Sequence, residues 1–599
     1  MEGGVCNVCR NIHSPPVRPP TDPTREIQPL KTWDEFVKWK EPETALHPAV
    51  VEVTRLMPRS PSLSASTLRT LLCHDMKGGY IDDRFYEGNS NVNAYRFYHW
   101  SGIDTFVYFS HHSVTIPPPA WINAAHSHGV KVLGTLITEC GNTEAFCDTL
   151  LTNEESVSMG VSQLIAIAKY HGFEGWLINI ENIVQPNKVE LLIDFVKQLR
   201  KGMKKVCEEA EVLWYDSVTV EGKLEWQNEL NELNRAFYEA SDGIFLNYTW
   251  TDRHLEKSWK EAGGKEGAGK VYVGIDVFGR NFYEGGKFNT WKALEKIRSY
   301  GLSAAIFAPG WTHECDTGLS FEDSEAKMWS DLHPFLTYHG PGQLPVATSF
   351  CQGYGHAIYD EGKMVKNGKW HNLSKQRLQP ILWQEGRGVK LNLVTSDAYK
   401  GGGSLGIVVM IPKEIRLFVC GLKWKESLLV SVWYKWEGPV VPFTLYLNLH
   451  STTNTSLPIR TVELRCDGFV EARKEGDQPS KDNEVESNQT SKKTDQLNKT
   501  VDVKRKTEEG KHDVVQTKKK RTSKCDVSLV VSREENGWTR RSFTVGEEEG
   551  WEVCEIGVRL SAPSILLLGY ITLDNFTPTS SDYHPGEVAN LLRSNVTQL

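Results

Sequence analysis

Long apolar runs are missing from this 599-residue chain. None approaches the ~20 consecutive apolar residues of a membrane-spanning helix, so no helical anchor is expected. Met1–Thr24 also lacks the apolar core of a secretory leader; it carries Pro15, Pro16, Pro19, Pro20 and Pro23 and reads as a disordered tail. An excess of one charge is missing too. The net charge of −8 is mild for this length and gives no electrostatic footprint for nucleic acid. The 12 cysteines lack regular spacing, and without a leader they are expected to stay reduced in the cytosol. Cys6 and Cys9 form a close pair with no second pair to complete a metal site. Triplets such as Asn372–Leu373–Ser374 carry no glycosylation meaning without secretion. Neither G-x-G-x-x-G nor G-x-x-x-x-G-K-[ST] follows the first strand, which speaks against a nucleotide-binding sheet. Residues 473–524 contain no Phe, Trp or Tyr and read as a disordered charged insertion. Its basic clusters, Lys504–Lys506 and Lys518–Arg521, suit either solvated linker charge or nuclear import.

Between these gaps the chain is patterned. From about residue 68 to 340, short apolar runs alternate with longer amphipathic ones. The strand candidates are Leu71–His74, Thr105–His111, Lys131–Thr138, Gly175–Glu181, Glu211–Val218, Gly243–Trp250, Val271–Phe278 and Ala304–Trp311. Helical segments are expected at Ala120–His128, Ser156–Tyr170, Lys188–Glu209, Glu225–Ala240 and Thr290–Tyr300. Eight strand–helix units over ~270 residues predict an α/β fold, a (β/α)8 TIM barrel, with an open doubly wound sheet as the alternative. After about residue 345 the runs become turn-bounded and strand-like, predicting one or two β-sandwich domains. The expected division is a tail at 1–26, a barrel at 27–344, a β-sandwich at 345–472, the insertion at 473–524, and the remaining strands and tail at 525–599. The sandwich either buttresses the barrel or binds carbohydrate, with Trp370, Trp383 and Trp424 as the residues to examine.

The stretch Gly172–Asn182 organises the rest. Trp176–Ile180 is apolar except for Asn179, as in a strand covered on both faces. Asn179 and Glu181 stand two apart and so share a face, roughly 7 Å apart, while Ile178 and Ile180 point into the helices. At the C-terminal end of a barrel strand such a pair occupies the place where sites are built, although a cap or salt-bridge role also fits. The other strand ends are polar or aromatic: His111, Glu139, Tyr215, Asp216, Asn247, Tyr248, Trp250, Asp276, Phe278, Arg280 and Trp311. His111 and Asp276 each have a plain structural alternative, the latter pairing with Arg280. Together these ends make a cup suited to a neutral, polyhydroxylated ligand, and some of the 19 tryptophans could serve as sugar platforms.

Two carboxyls are the usual equipment for glycoside cleavage. Here an amide and a carboxyl stand together. A substrate carrying a 2-acetamido group supplies its own nucleophile: the carbonyl oxygen attacks the anomeric carbon, Asn179 orients the acetamide, and Glu181 acts as acid and then base. That chemistry requires no metal or organic cofactor.

The run Gly-Phe-Glu-Gly-Trp-Leu-Ile-Asn-Ile-Glu-Asn at 172–182 closely resembles the signature of the family 85 endo-β-N-acetylglucosaminidases. Ser110–His112, Ile116–Pro118, Trp121–His126, Trp214–Ser217, Trp226–Asn228, Phe245–Tyr248, Gly274–Val277 and Phe307–Trp311 follow in family order, over about residues 27–350. The resemblance implies Glu181 as acid/base, Asn179 as the acetamide-orienting residue, Tyr215 as a holder of the N-acetyl group, and Trp226 and Trp250 as an aromatic wall. Asn228, Asn247, His111, Asp276 and Trp311 are the further substrate-binding candidates. It implies a cytosolic hydrolase that cuts the β1,4 bond between the core GlcNAc residues of high-mannose N-glycans or free oligosaccharides, with transglycosylation as a side path. No nucleic acid, membrane or protein partner is expected. One departure is Cys140, where the family pattern suggests an aromatic. Two readings compete: a lectin-like barrel, against which the intact Glu181 argues, and a chitinase-type barrel, which would carry Asp at position 179.

Overall fold

The computed structural model describes residues 26–41, 54–60, 68–141, 143–381, 385–386, 388–466 and 526–577. The expected tail, apart from Glu26, and the expected insertion with both basic clusters lie outside the described residues, as do Cys6, Cys9 and Trp383. Eight parallel strands close on themselves: β1 (Thr70–Asp75), β2 (Thr105–Phe109), β3 (Lys131–Glu139), β4 (Gly175–Glu181), β5 (Glu211–Tyr215), β6 (Gly243–Leu246), β7 (Val271–Asp276) and β8 (Ser303–Phe307). Each pairs with the next, and β8 returns to β1 through Thr70↔Ala304 to Cys73↔Phe307. A two-residue strand, Val114–Thr115, adds to β3.

Helices wrap this barrel for local reasons. Asn153 caps the helix Glu154–His171 by accepting from Ser156 N, and Gly172 ends it at φ 73, the left-handed turn that launches β4. Val189–Val206 buries Leu192, Phe195, Val196, Leu199 and Met203, a stripe at helical spacing, against the barrel wall. Along β4, Trp176, Ile178 and Ile180 join the core between strands and helices, while Leu177 joins Leu133, Ile137, Leu213 and Phe245 inside the barrel. Gly175 allows β4 and β5 to approach: a Cβ there would fall 1.8 Å from the Glu211 carbonyl oxygen. The barrel floor is a charged plug in which buried Glu211 pairs with Arg69 (2.6 Å) and Lys131 (3.0 Å) and accepts from Thr105 Oγ1 (2.9 Å).

Two expectations are corrected. The helix expected over Glu225–Ala240 is confined to Arg235–Ala240, and the residues before it form a loop. Five strands expected to run on, through His111, Val218, Trp250, Phe278 and Trp311, stop earlier, leaving those positions in loops.

Beyond the barrel the strands are antiparallel. Ser404–Val409, Ser427–Trp436, Trp538–Gly546 and Ser564–Phe576 lie in one sheet; Lys413–Leu422, Phe443–Ser451, Arg460–Arg465 and Trp551–Leu560 make the other. Leu405, Val430 and Leu568 from the first and Leu417, Leu447 and Ile556 from the second share one core, as in a sandwich. The indole N–H groups of Trp370 and Trp424 are engaged within this region, by Ala357 O (2.9 Å) and Gly546 O (3.3 Å).

Candidate active site

The inward row of β4 rises from Leu177 through Asn179 to Glu181, so the strand's alternation alone delivers an amide and a carboxyl to the barrel mouth. Asn179 is buried, and its Oδ1 has no hydrogen-bond partner. A buried amide oxygen without a partner is costly unless something else satisfies it, which marks this position as one awaiting a donor. Glu181 is half-buried. Burial, then the neighbouring Glu139 charge, push its carboxyl up to about 7, against the pull of the Trp226 indole and of His111. A carboxyl at that value exchanges protons near neutral pH, as an acid/base must.

Tyr215 ends β5 on the inner face, and its hydroxyl donates to Asn247 Oδ1 (2.9 Å) just beyond β6. Asn247 Nδ2 in turn donates to Asn228 Oδ1 (2.9 Å), which also accepts from Thr249 N (3.0 Å) and Thr249 Oγ1 (2.7 Å). Asn228 Nδ2 donates to the Trp226 carbonyl (3.3 Å). One polar chain thus ties Tyr215, Asn247, Asn228 and Trp226 together. Burial raises the Tyr215 phenol well above its ordinary range, with the Glu181 and Asp216 charges adding to it, so it stays a neutral donor.

Asp216 explains why the loop before Arg235 is not helical. Its buried carboxylate accepts from Gln227 N (3.3 Å), Asn228 N (2.7 Å), Asn234 Nδ2 (3.0 Å) and Asn247 N (3.4 Å). Those bonds fold residues 227–234 over the end of β5 and hold Asn228 at φ 58, a left-handed value that Asn tolerates and a helix does not. Burial, the dominant effect, raises the Asp216 carboxyl to about 6 despite these donors.

The remaining expected residues divide. Trp226 is 42% exposed beside Glu181, the one expected aromatic that offers an open face. Trp250 is buried, with its indole donated to Gly274 O (2.8 Å) and its ring stacked on Tyr283 at 5.1 Å. Trp311 is buried edge-on against Phe288 (5.0 Å). Asp276 turns its carboxylate back on its own loop, accepting from Phe278 N, Arg280 N and the Arg280 guanidinium. His111 is bonded through Nδ1 to Glu139 (3.0 Å). Two neighbours were named from sequence as strand ends but given no role in the site: Glu139, the in-register partner of Glu181, and Tyr248, which hydrogen-bonds to Tyr215. Both are strand-end positions, and that placement was their only signal. Among the described residues no cluster of His, Cys, Asp and Glu could hold a metal ion, and no helix is long and apolar enough to cross a membrane.

Residues 80–358 match the model of glycosyl hydrolase family 85. The cytosolic endo-beta-N-acetylglucosaminidase of Mus musculus is 43% identical over 435 residues, covering 70% of this chain and 58% of that protein. That of Homo sapiens is 42% identical over 427 residues (68% and 56%), and cytosolic endo-beta-N-acetylglucosaminidase 1 of Arabidopsis thaliana is 41% identical over 402 (65% and 58%). The chain thus spans a little over half the length of these relatives. Among solved structures, the glycoside hydrolase domain of Endo-D from Streptococcus pneumoniae has the same fold, with a TM-score of 0.65 at 18% identity over 92% of this chain and 83% of that one.

Proposed function

We propose that the chain, matched over residues 80–358 by glycosyl hydrolase family 85 and 43% identical to a cytosolic endo-beta-N-acetylglucosaminidase, is a member of that family and hydrolyses the β1,4 bond between the two core GlcNAc residues of N-glycans and free oligomannosidic oligosaccharides, leaving one GlcNAc on the reducing side. The observation that carries the reading is the pairing, on one strand end, of a buried amide lacking a partner with a carboxyl at about 7. Asn179 Oδ1 accepts the N–H of the substrate's 2-acetamido group and turns its carbonyl oxygen toward the anomeric carbon. That oxygen forms the new bond as the glycosidic C–O bond breaks, and the departing oxygen takes the Glu181 proton. The Glu181 carboxylate then removes a proton from water as water opens the oxazoline, and two displacements retain configuration. Tyr215, fixed in place by its hydroxyl bond to Asn247, helps hold the N-acetyl group; Trp226 offers its open face to a sugar ring. A sugar alcohol replacing water gives transglycosylation. The names of the relatives support a cytosolic setting.

The test is a digest of a reducing-end-labelled oligomannosidic N-glycan, read by mass spectrometry. Wild type is expected to cut between the two GlcNAc residues, with a rate that falls about tenfold per pH unit above about 7 as Glu181 loses its proton. Glu181→Gln should lose ~10²–10⁴-fold in turnover while still binding glycan. Equal turnover by the variant would refute the role of Glu181. Binding without turnover by wild type would make the barrel a lectin.

A further inference from the structure

Glu139 ends β3 and Glu181 ends β4, and the two are register partners in a parallel ladder. Neighbouring strands stand ~4.8 Å apart. Both side chains continue inward rows, from Leu133 and Ile137 in β3 and from Leu177 in β4, so two carboxyls sit side by side at the mouth. Their backbones are pinned: Cys140 N donates to Glu181 O (3.1 Å), Glu139 N to Thr143 Oγ1 (2.8 Å), and Thr143 N to Glu139 O (3.0 Å). Glu139 is bonded to His111 Nδ1 at 3.0 Å, and the His111 side chain is 54% exposed. The imidazole therefore bonds to one carboxyl, that carboxyl stands in register beside a second, and the imidazole is open to water.

We propose that Glu139 and His111 are positioning residues that set the proton affinity of Glu181: the Glu139 charge holds the proton on its neighbour, and His111 controls how much of that charge is felt. The inference rests on the reading of Glu181 as the general acid. A negative charge beside a carboxyl favours that carboxyl's protonated form, and a cationic partner of the charge weakens the effect. Among the groups acting on Glu181, Glu139 follows only burial, while His111 acts in the opposite direction. His111 itself is raised, first by its hydrogen bond to Glu139, and it also feels Asp75 and Glu181. The other titratable groups facing this cluster are the Tyr215 phenol from β5 and the Tyr248 phenol from the loop after β6, both raised by burial and neutral near pH 7, and His112, which burial lowers.

The pair makes a prediction of opposite signs. Glu139→Gln removes the charge but keeps the shape; it should move the alkaline limb of kcat/KM to lower pH, by about one pH unit. His111→Gln leaves the carboxylate uncompensated and should move the same limb to higher pH. In the Glu139→Gln background His111→Gln should add little, since its effect passes through Glu139. The assay is the glycan digest above, run on the full chain from pH 5 to 9. A purely structural role would lower the rate without moving the limb. Unmoved limbs, or shifts in the same direction, overturn the proposal. Should Glu139→Gln lose all turnover, His111→Gln decides alone, because it leaves both carboxyls in place. Should Glu181→Gln turn over as wild type does, it is the reading of Glu181 that fails instead.

Discussion

At Asn228 a left-handed backbone and three accepted hydrogen bonds fall on one residue, and substitution separates them. Its φ is 58. An L-residue without a side chain suited to that region costs ~1–2 kcal/mol, which glycine avoids. Glycine gives back ~0.5–1 kcal/mol through the freedom of its unfolded chain, so alanine should be less stable than glycine here by about 1 kcal/mol. The hydrogen bonds add a second contribution. Asn228 Oδ1 accepts from Asn247 Nδ2, Thr249 N and Thr249 Oγ1. Water can replace it at the exposed Thr249 donors, which leaves roughly 1 kcal/mol for the half-buried Asn247 amide. Aspartate keeps the acceptor and tolerates the backbone. The expected order of stability is therefore Asn, Asp, Gly, Ala, with Asn228→Ala about 2–3 kcal/mol below wild type. Chemical denaturation measures the total, and hydrogen exchange over residues 219–234 locates it. Because Asn247 also receives the Tyr215 hydroxyl, turnover should fall with loop protection. Alanine as stable as glycine would refute the backbone argument; glycine as stable as wild type would refute the hydrogen-bond argument.

Two further outcomes concern the barrel below the site. Glu211→Ala should cost about 1–3 kcal/mol, because it takes the carboxylate from Arg69, leaves Lys131 only Glu209 (3.5 Å) and leaves the buried Thr105 hydroxyl without its acceptor. Burial alone would raise the Glu211 carboxyl, but Lys131 and Arg69 bring it below its ordinary value. Its contribution is thus present above the ordinary carboxyl range and fades as pH falls through the lowered value, so wild type and variant should converge in acid denaturation. Gly175→Ala should abolish soluble folding, since its Cβ has to displace the Glu211 carbonyl from 1.8 Å; recovery of a cooperative, active protein would refute that reading of the β4–β5 approach.

The barrel was legible because its strands are apolar runs set off by turns, as at Gly172 before β4, and because amphipathic stripes such as Leu192–Phe195–Leu199 repeat at helical spacing. The strand ends were legible as a cup and overrun as strands. Extended, polar residues such as Ser217 and Tyr248 look like strand in sequence, but the ladders end where loops take over the backbone donors, as Asp216 does for Asn247 N. The segment Glu225–Ala240 has a helical stripe at Leu230, Leu233 and Phe237, yet its asparagines win: Asn231 Oδ1 accepts from Leu233 N and Asn234 Oδ1 from Asn231 N, local bonds that compete with a helix. Asn179 and Glu181 could be placed on one face because they share a strand. The Glu139–Glu181 neighbourhood could not, because it depends on the register between strands 42 residues apart.

The strand Ser564–Phe576 borders Val346–Thr348, Ser404–Val409 and Ser427–Trp436. It is among the last described segments to leave the ribosome, yet it occupies the middle of its sheet. Residues made between 130 (Trp436↔Leu566) and 227 (Val346↔Leu573) positions earlier must wait with open edges until it arrives, and open edges are where misassociation begins. A premature stop just before Ser564 would therefore remove the seam of that sheet and leave two fragments, whereas the same loss at an edge would only narrow it. Nonsense or frameshift changes late in the coding sequence should be read as losses of the fold, however far they lie from Glu181.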